Sequence, residues 1–486
     1  MSVLLAAIQI GGVLGFFHLF AIGSYGFTVS EALLIVIVII LAYRTLWQGK
    51  PLYIPQSREM LASVLLWCAF AASTFAVLVS TRDQFIVQSA KSFFHFTYIW
   101  IGCMLLVLLR PSAENLITAF RVNLVIALLA AVYAMYQLPA RILDLPFGWI
   151  EISNASFSRG LGDEQVETQL ALQFGNFIRA TSFFFEPSAL AAYSSSALFL
   201  VIVPFFRRSA ALFTSKVCIW TIIVCLLIAL LLAFSLTGVM LLLCGSAVAV
   251  LLYPKTAPVR LLIGVTASAV VVLSVNIFIT YLTEMNVLSL FQNRITSIVT
   301  GKAADQIAVD DISGESYRQR TSDYRLGVMA WQHSPLLGVG IGCFSLTPEG
   351  RRYNSPFLSS VYPSVLAEAG AVGFLILILF LVFMITGTFS DNARWERLNG
   401  KEKLRTDLFA FYLPFKTVFV VFLGFTGNMI VSTSYWVDVA LIMAGQNVLR
   451  DTLGTSTYKE INVLTISLKD RLRNSLLKGA RVGTHT

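Results

Sequence analysis

Apolar residues in this chain come in runs of about twenty, not in alternation, and short polar breaks separate the runs. They fall near residues 3–22, 28–43, 60–80, 92–109, 117–137, 188–206, 217–234, 237–252, 260–280, 359–387, 409–427 and 434–449. At 1.5 Å per residue, about twenty residues cross the roughly 30 Å of bilayer hydrocarbon. The pattern therefore predicts an all-α polytopic membrane protein with about twelve transmembrane helices. A membrane barrel would need short alternating strands, and these are missing. The first run has no basic leader and no obvious cleavage site, so it reads as a retained first span.

Charge then orients the pattern. Of the 486 residues, 57% are hydrophobic and only 13% charged, about half the share of an ordinary soluble domain. The positive charges sit in every second connection: Arg44, Lys50 and Arg58; Arg110; Arg207, Arg208 and Lys216; Lys255 and Arg260; Arg394, Arg397, Lys401, Lys403 and Arg405. Residues 450–486 form a basic tail that continues the series. By the positive-inside rule these segments and both termini are cytoplasmic. The net charge of +9 is thus explained by membrane sidedness and does not call for nucleic acid. Arg121 and Lys416 fall near cytoplasmic span ends, where snorkelling accounts for them. The six cysteines show neither disulfide nor zinc spacing, and no metal is expected.

Two external connections are long, residues 138–187 and 281–358, and long loops on a compact bundle usually carry function. Residues 1–449 are thus read as one transmembrane domain bearing two large periplasmic loops. The loops hold Arg141, Arg159, Arg179, Arg294, Arg318, Arg320, Arg325, Arg351 and Arg352, but only one lysine, Lys302. A guanidinium is a planar fork suited to phosphate and pyrophosphate, so the set favours an anion site. Single arginines could equally pair with Asp163, Glu164, Glu167, Asp310, Asp311 or Glu315. No P-loop or dinucleotide fingerprint is present. Chemistry at the outer face without nucleotides requires a pre-activated substrate, such as a lipid diphosphate.

Two stretches carry a resemblance. Arg179-Ala-Thr-Ser-Phe-Phe-Phe-Glu-Pro-Ser188 is similar to a motif of bacterial exopolysaccharide and O-antigen polymerases. The other begins at Tyr324-Arg325, continues through Ser334-Pro-Leu-Leu-Gly-Val-Gly-Ile-Gly-Cys-Phe344, and ends at Leu366-Ala-Glu-Ala-Gly370. It resembles the arginine, P-L-L-G-V-G and a-E-x-G series of the O-antigen polymerase and ligase superfamily. The ligase branch carries an S-R pair where this chain has Ser235-Leu236, and an H-N pair where it has Ser359-Ser360. Both departures favour the Wzy-type polymerase branch.

The resemblance implies a GT-C-like, metal-independent glycosyltransferase of the bacterial inner membrane, without a cofactor. It would polymerise undecaprenyl-diphosphate-linked repeat units at the periplasmic face, making O-antigen, capsule or exopolysaccharide. A chain-length-regulating co-polymerase is an implied partner. The alternatives are an O-antigen ligase, an O-oligosaccharyltransferase and, from another class, a lipid-linked oligosaccharide transporter. Glu186 is the first candidate base, with Arg179 its partner or a helix-capping companion. His333 is a second candidate base. Arg294, Arg318, Arg320 and Arg325 are candidates for the diphosphate. Glu368, Arg351 and Arg352 are substrate-binding or structural. The spacing of Arg318, Arg320 and Arg325 prevents all three from sharing one helix face.

The topology gives the first testable outcome. Cysteine placed at Asn154 or Asp305 should react with an impermeant thiol reagent added outside intact spheroplasts, and cysteine at Asn399 should not. Reversed labelling would invert the protein in the membrane.

Overall fold

The computed structural model describes residues 2–13, 18–22, 25–49, 52–80, 83–153, 166–169, 173–174, 177–206, 212–213, 215–255, 257–300, 315–353, 358–397, 403–427, 430, 432–455 and 458–461. Arg159, Asp163, Glu164, Lys302, Asp310, Asp311 and the tail beyond Ile461 lie outside these residues, as do the side chains of Glu167, Arg294, Glu315 and Arg318.

A helix stands at each apolar run. In chain order these are α1 (Ser2–Val13), α2 (Val29–Ala42), α3 (Arg58–Ser80), α4 (Asp83–Leu108), α5 (Ala113–Ile142), α6 (Pro187–Phe206), α7 (Lys216–Ala233), α8 (Leu236–Leu252) and α9 (Ala257–Thr283). The second long connection then contributes α10 (Val287–Thr300), α11 (Glu315–Trp331) and the one-turn α12 (Pro348–Arg352). The bundle closes with α13 (Val361–Glu396), α14 (Lys403–Thr426) and α15 (Thr433–Thr452). Seven of these are long and apolar enough to cross a membrane, with two shorter apolar helices at Pro187–Ile202 and Leu236–Leu252.

The expected first span is shorter than its apolar run. Helix α1 has 12 residues, about 18 Å, and the run's end forms β1 (His18–Ile22), paired antiparallel with β2 (Tyr25–Thr28). Thr28 then caps α2. Its hydroxyl accepts from Glu31 N–H, and its own N–H donates to the Glu31 carboxylate at 2.7 Å. At the other end of the bundle, β3 (Leu52–Pro55) pairs with the strand Tyr458–Ile461 that follows α15.

Packing across the bundle is aromatic. Phe96 meets Phe70 at 4.7 Å and Trp436 at 5.6 Å between ring centres, joining α3, α4 and α15. Lipid offers no hydrophobic drive between helices, so such contacts act through dispersion and shape. The outward face of α5 presents Val125, Leu129 and Val132, as a lipid-facing stripe should. Lys416 corrects the snorkelling expectation. It turns inward from α14, with its ammonium 2.8 Å from Asp438 of α15 and 3.0 Å from the Ser196 hydroxyl of α6. A charge at this depth requires a partner, and Asp438 supplies it.

Helix α13 is broken near its start. Gly370 has φ +67°, and the break frees backbone groups that the helix would have paired. The Ser334–Gly342 loop pairs them instead. Val339 and Gly340 N–H donate to the carbonyls of Ala367 and Glu368, while Ala371 and Val372 N–H donate to those of Pro335 and Leu336. The backbones approach so closely that a Cβ on Gly370 would lie 2.3 Å from the Leu336 oxygen. Gly370→Ala therefore combines an unfavourable φ with overpacking and should cost roughly 2–4 kcal/mol. Gly264→Ala on α9, where a Cβ meets nothing within 4 Å, should be neutral or stabilising by up to about 1 kcal/mol. Thermal unfolding of the two purified variants compares them directly.

Candidate active site

The first long connection leaves α5 at Arg141. This region carries β4 (Glu151–Ser153) paired with β5 (Val166–Thr168), then β6 (Gln173–Phe174) paired with β7 (Phe177–Ile178). The Arg179–Ser188 motif follows and is an irregular turn ahead of α6. Ser182 within it has φ +54°, an unfavourable conformation for a residue with a side chain. A polar hub holds the turn in place. Gln137 accepts from the Thr181 and Ser182 N–H groups at 3.0 and 2.6 Å. Gln169 donates to the Ser182 and Phe184 carbonyls at 2.7 and 2.9 Å. The guanidinium of buried Arg141 donates to Gly148 O at 2.8 Å, to Gln169 and Thr181 at 2.8 Å each, and to the Arg179 carbonyl. Its face rests on Trp149 at 4.1 Å.

Arg179 itself is buried and donates from Nε to the Ala233 carbonyl at 3.0 Å, satisfying the last turn of α7. The expected pair with Glu186 is not among the ion pairs of the described residues. The Nε bond caps the C-terminal end of α7, and Ala180 N–H reinforces that cap on Leu232 O at 3.0 Å. Beyond the cap, Phe234 takes the left-handed turn into α8. Its ring packs on Phe177 of the first connection and Phe291 of α10, joining the two long connections.

Glu186 stands exposed at the N-terminus of α6, as its Pro187 neighbour implied, and accepts from the Ser188 hydroxyl at 2.7 Å. Across from it lies α11. Gly327 lets this helix sit close on α13, since a Cβ there would meet Pro363 at 2.7 Å. Asp323 accepts from the backbone N–H of Ser359 at 2.9 Å and from its hydroxyl. The Tyr324 hydroxyl is 3.1 Å from Ser360 Oγ, which donates to Gly424 O at 2.8 Å. The serine pair found in place of H-N thus anchors α11 to α13 and α14.

Arg320 is thereby held in the fields of Glu186 and Asp323. Burial lowers its pKa below the ordinary arginine value, and those carboxylates, with Tyr324, oppose that shift. The group stays a cation. Neither Arg320 nor exposed Arg325 makes an ion pair or hydrogen bond among the described residues. Glu186 thus lies within electrostatic range of Arg320 without an ion pair between them, and Arg325 is on another face of the same helix.

Other candidates sit elsewhere. His333 hydrogen-bonds Glu349 of α12 at 3.0 Å, an arrangement that ties down the loop and is separate from Glu186. Burial raises the Glu349 pKa, but the His333 hydrogen bond, a backbone bond, the His333 charge and Thr347 outweigh it and leave the carboxyl below its ordinary range. Glu368 accepts from the Gly342 and Phe344 N–H groups and the Ser364 hydroxyl, which makes it part of the α13 loop clasp. Arg351 reaches Gln84 at 3.4 Å, and Arg352 lies over the Tyr353 ring at 5.9 Å. Arg294 and Arg318 lie on α10 and α11, their side chains outside the described residues. Among the described residues no group of three or more His, Cys, Asp or Glu could hold a metal. Sequence reasoning missed Gln137, Gln169 and Asp323. Their polar side chains have no motif spacing, and only the partners reveal them.

Residues 221–378 match the family model described as O-antigen ligase. The match runs from within α7 through α11 into α13 and supports membership of the O-antigen polymerase and ligase superfamily. Together with the seven apolar helices it indicates an integral membrane protein. No curated protein matches the chain.

The hub predicts a stability effect. Arg141→Lys keeps the charge but cannot serve four acceptors on Gly148, Gln169, Arg179 and Thr181. Stranding buried acceptors should cost about 3 kcal/mol. Thermal unfolding should show it, and an unchanged melting temperature would remove the hub from the account.

Proposed function

We propose that this protein polymerises undecaprenyl-diphosphate-linked oligosaccharide repeat units at the periplasmic face of the bacterial inner membrane. In this reading twelve spans leave both termini in the cytoplasm, and residues 1–449 form the transferase domain. The observation that carries the proposal is half-buried Arg320 lying in the field of Glu186, its guanidinium making no hydrogen bond or ion pair among the described residues. It joins the polymerase-like Arg179–Ser188 motif to the arginine-bearing helix of the family-matched region.

The chemistry suits these groups. The acceptor hydroxyl on the incoming unit attacks the anomeric carbon of the growing chain, a new glycosidic bond forms, and the bond to the lipid diphosphate breaks. Glu186 orients the acceptor hydroxyl and takes its proton. Arg320 and Arg325 stabilise the charge that develops on the departing diphosphate, so no metal is required. Arg294 and Arg318, on the same connection, are further candidates. The wider product class is O-antigen, capsule or exopolysaccharide, with a co-polymerase setting chain length. The second reading is an O-antigen ligase or O-oligosaccharyltransferase, which would use the same donor chemistry and is favoured by the matching family's description as O-antigen ligase. Ser235-Leu236 and Ser359-Ser360, in place of the ligase pairs, favour the polymerase.

Deletion separates the two. Loss of a polymerase should leave single repeat units on the lipid carrier or transferred onward, whereas loss of a ligase should let long chains accumulate on the carrier. In the complementation assay, Glu186→Gln should lower polymer at least about 100-fold, the range for loss of a general base. Arg320→Lys should impair it as well, since a point charge replaces a fork. Long carrier-bound chains after deletion, or full polymer from Glu186→Gln, would overturn the assignment.

A further inference from the structure

At the opposite end of the bundle from Glu186 lies a cavity of about 520 Å³, within the roughly 300–1,000 Å³ of small-molecule sites. Its walls come from the start of α3 and the ends of α13 and α15. Along the floor runs an ion-pair network. Arg450 donates to Asp391 at 2.8 Å and takes Glu59 through two nitrogens, at 2.7 and 3.3 Å. Both carboxylates are thereby committed to one arginine. Two more arginines, Arg58 and Arg394, line the same cavity, are exposed, and make no ion pair or hydrogen bond among the described residues. Three cations thus face two carboxylates, and the surplus positive charge is on the two arginines with uncommitted donors.

A buried neutral donor is packed behind this network. Gln446 is 1% exposed, and its Nε2 has no hydrogen-bond partner, which is costly for a buried amide. It borders the space above Gly387, a cavity-lining residue, where a Cβ would lie 2.7 Å from Gln446 Nε2 and 2.2 Å from Glu59. Glycine at this position permits the close packing of Glu59, Gln446 and Arg450 behind the cavity wall. Polar side chains such as Ser390 and Asn447 complete the lining.

We propose that this cavity binds a phosphate-bearing anion, with Arg58 and Arg394 gripping the phosphate at the mouth. Guanidinium pairs favour phosphate through two-point hydrogen bonding. A lipid headgroup and a soluble phosphate offer the same chemistry. The positive-inside rule puts this end at the cytoplasmic surface, where anionic lipids attract basic segments. The site is independent of the glycosyl-transfer reading, because it shares no residue with it.

The test is thermal unfolding of the purified full chain in detergent, titrated with inorganic phosphate in one arm. In the other arm it is reconstituted into phosphatidylcholine vesicles with and without phosphatidylglycerol. A bound anion should raise the melting temperature by about 2–5 °C at saturation. Arg58→Gln/Arg394→Gln should fold like the parent, since neither arginine is in an ion pair, and should weaken the apparent affinity at least tenfold. Ser390→Asp keeps both arginines, adds an opposing charge, and should weaken it similarly. A shift with phosphatidylglycerol alone assigns the site to a lipid headgroup, and a shift with both probes to phosphate itself. No shift with either probe, or equal shifts in parent and both variants, would overturn the proposal.

Discussion

Non-helical backbone at the edge of hydrocarbon cannot rely on water, so every exposed N–H and carbonyl there must find a protein partner. Arg141 and its two glutamine neighbours meet that requirement for the turn between Arg179 and Phe185. The turn carries a strained Ser182, and it holds because Gln137 and Gln169 bind its backbone from both sides while Arg141 braces Gln169 and Thr181. Glu186 follows directly. The position of the candidate base is therefore set by the end of α5, not by its own contacts. A half-satisfied hub would be worse than an apolar one, which is why its members act as a unit.

The break in α13 obeys the same constraint with different means. Here no side chain intervenes at first. The loop's N–H groups replace those that the helix loses at Gly370, and its carbonyls receive the N–H groups that restart the helix. Glu368 then fixes the far side of the loop through Gly342 and Phe344. Gly338 is needed because two backbones meet there, a Cβ on it lying 2.3 Å from the Glu368 carbonyl carbon, while Gly340 and Gly342 leave room for the side chains of Val77 and Ser92. They are a structural clasp, not a phosphate cradle. By holding the start of α13, this clasp also sets Ser359 and Ser360, on which α11 and Arg320 depend.

Helix positions were legible in the sequence because apolar run length is a one-dimensional property. The run at residues 92–109, for example, became the inner part of α4. Run length failed where a run contains its own turn: the stretch from His18 to Ile22 is apolar enough for a span but pairs with Tyr25–Thr28. Motif order also read through correctly, since the match at residues 221–378 covers the Arg325 to Gly370 series. What the sequence could not supply was partners. Arg179 looks identical on paper whether it meets Glu186 or the Ala233 carbonyl. Lys416 sits near a basic connection in sequence, and nothing local reveals that Asp438, more than twenty residues later, faces it across two helices.

That distinction between charge and commitment sorts the arginines of the protein. Arg141 spends its donors on four acceptors, Arg450 on two carboxylates, and Arg179 bonds a helix carbonyl. Recruiting Arg141 or Arg450 to a diphosphate would require breaking buried bonds, at a cost comparable to the gain from binding. Among the described residues Arg320 and Arg325 have no hydrogen bond or ion pair to break, while Asp323 and Tyr324 fix α11. A preorganised cation stabilises developing charge with little reorganisation. The anchors of α11 therefore matter as much as its arginines: they hold Arg320 in the field of Glu186 without spending its donors on any described residue.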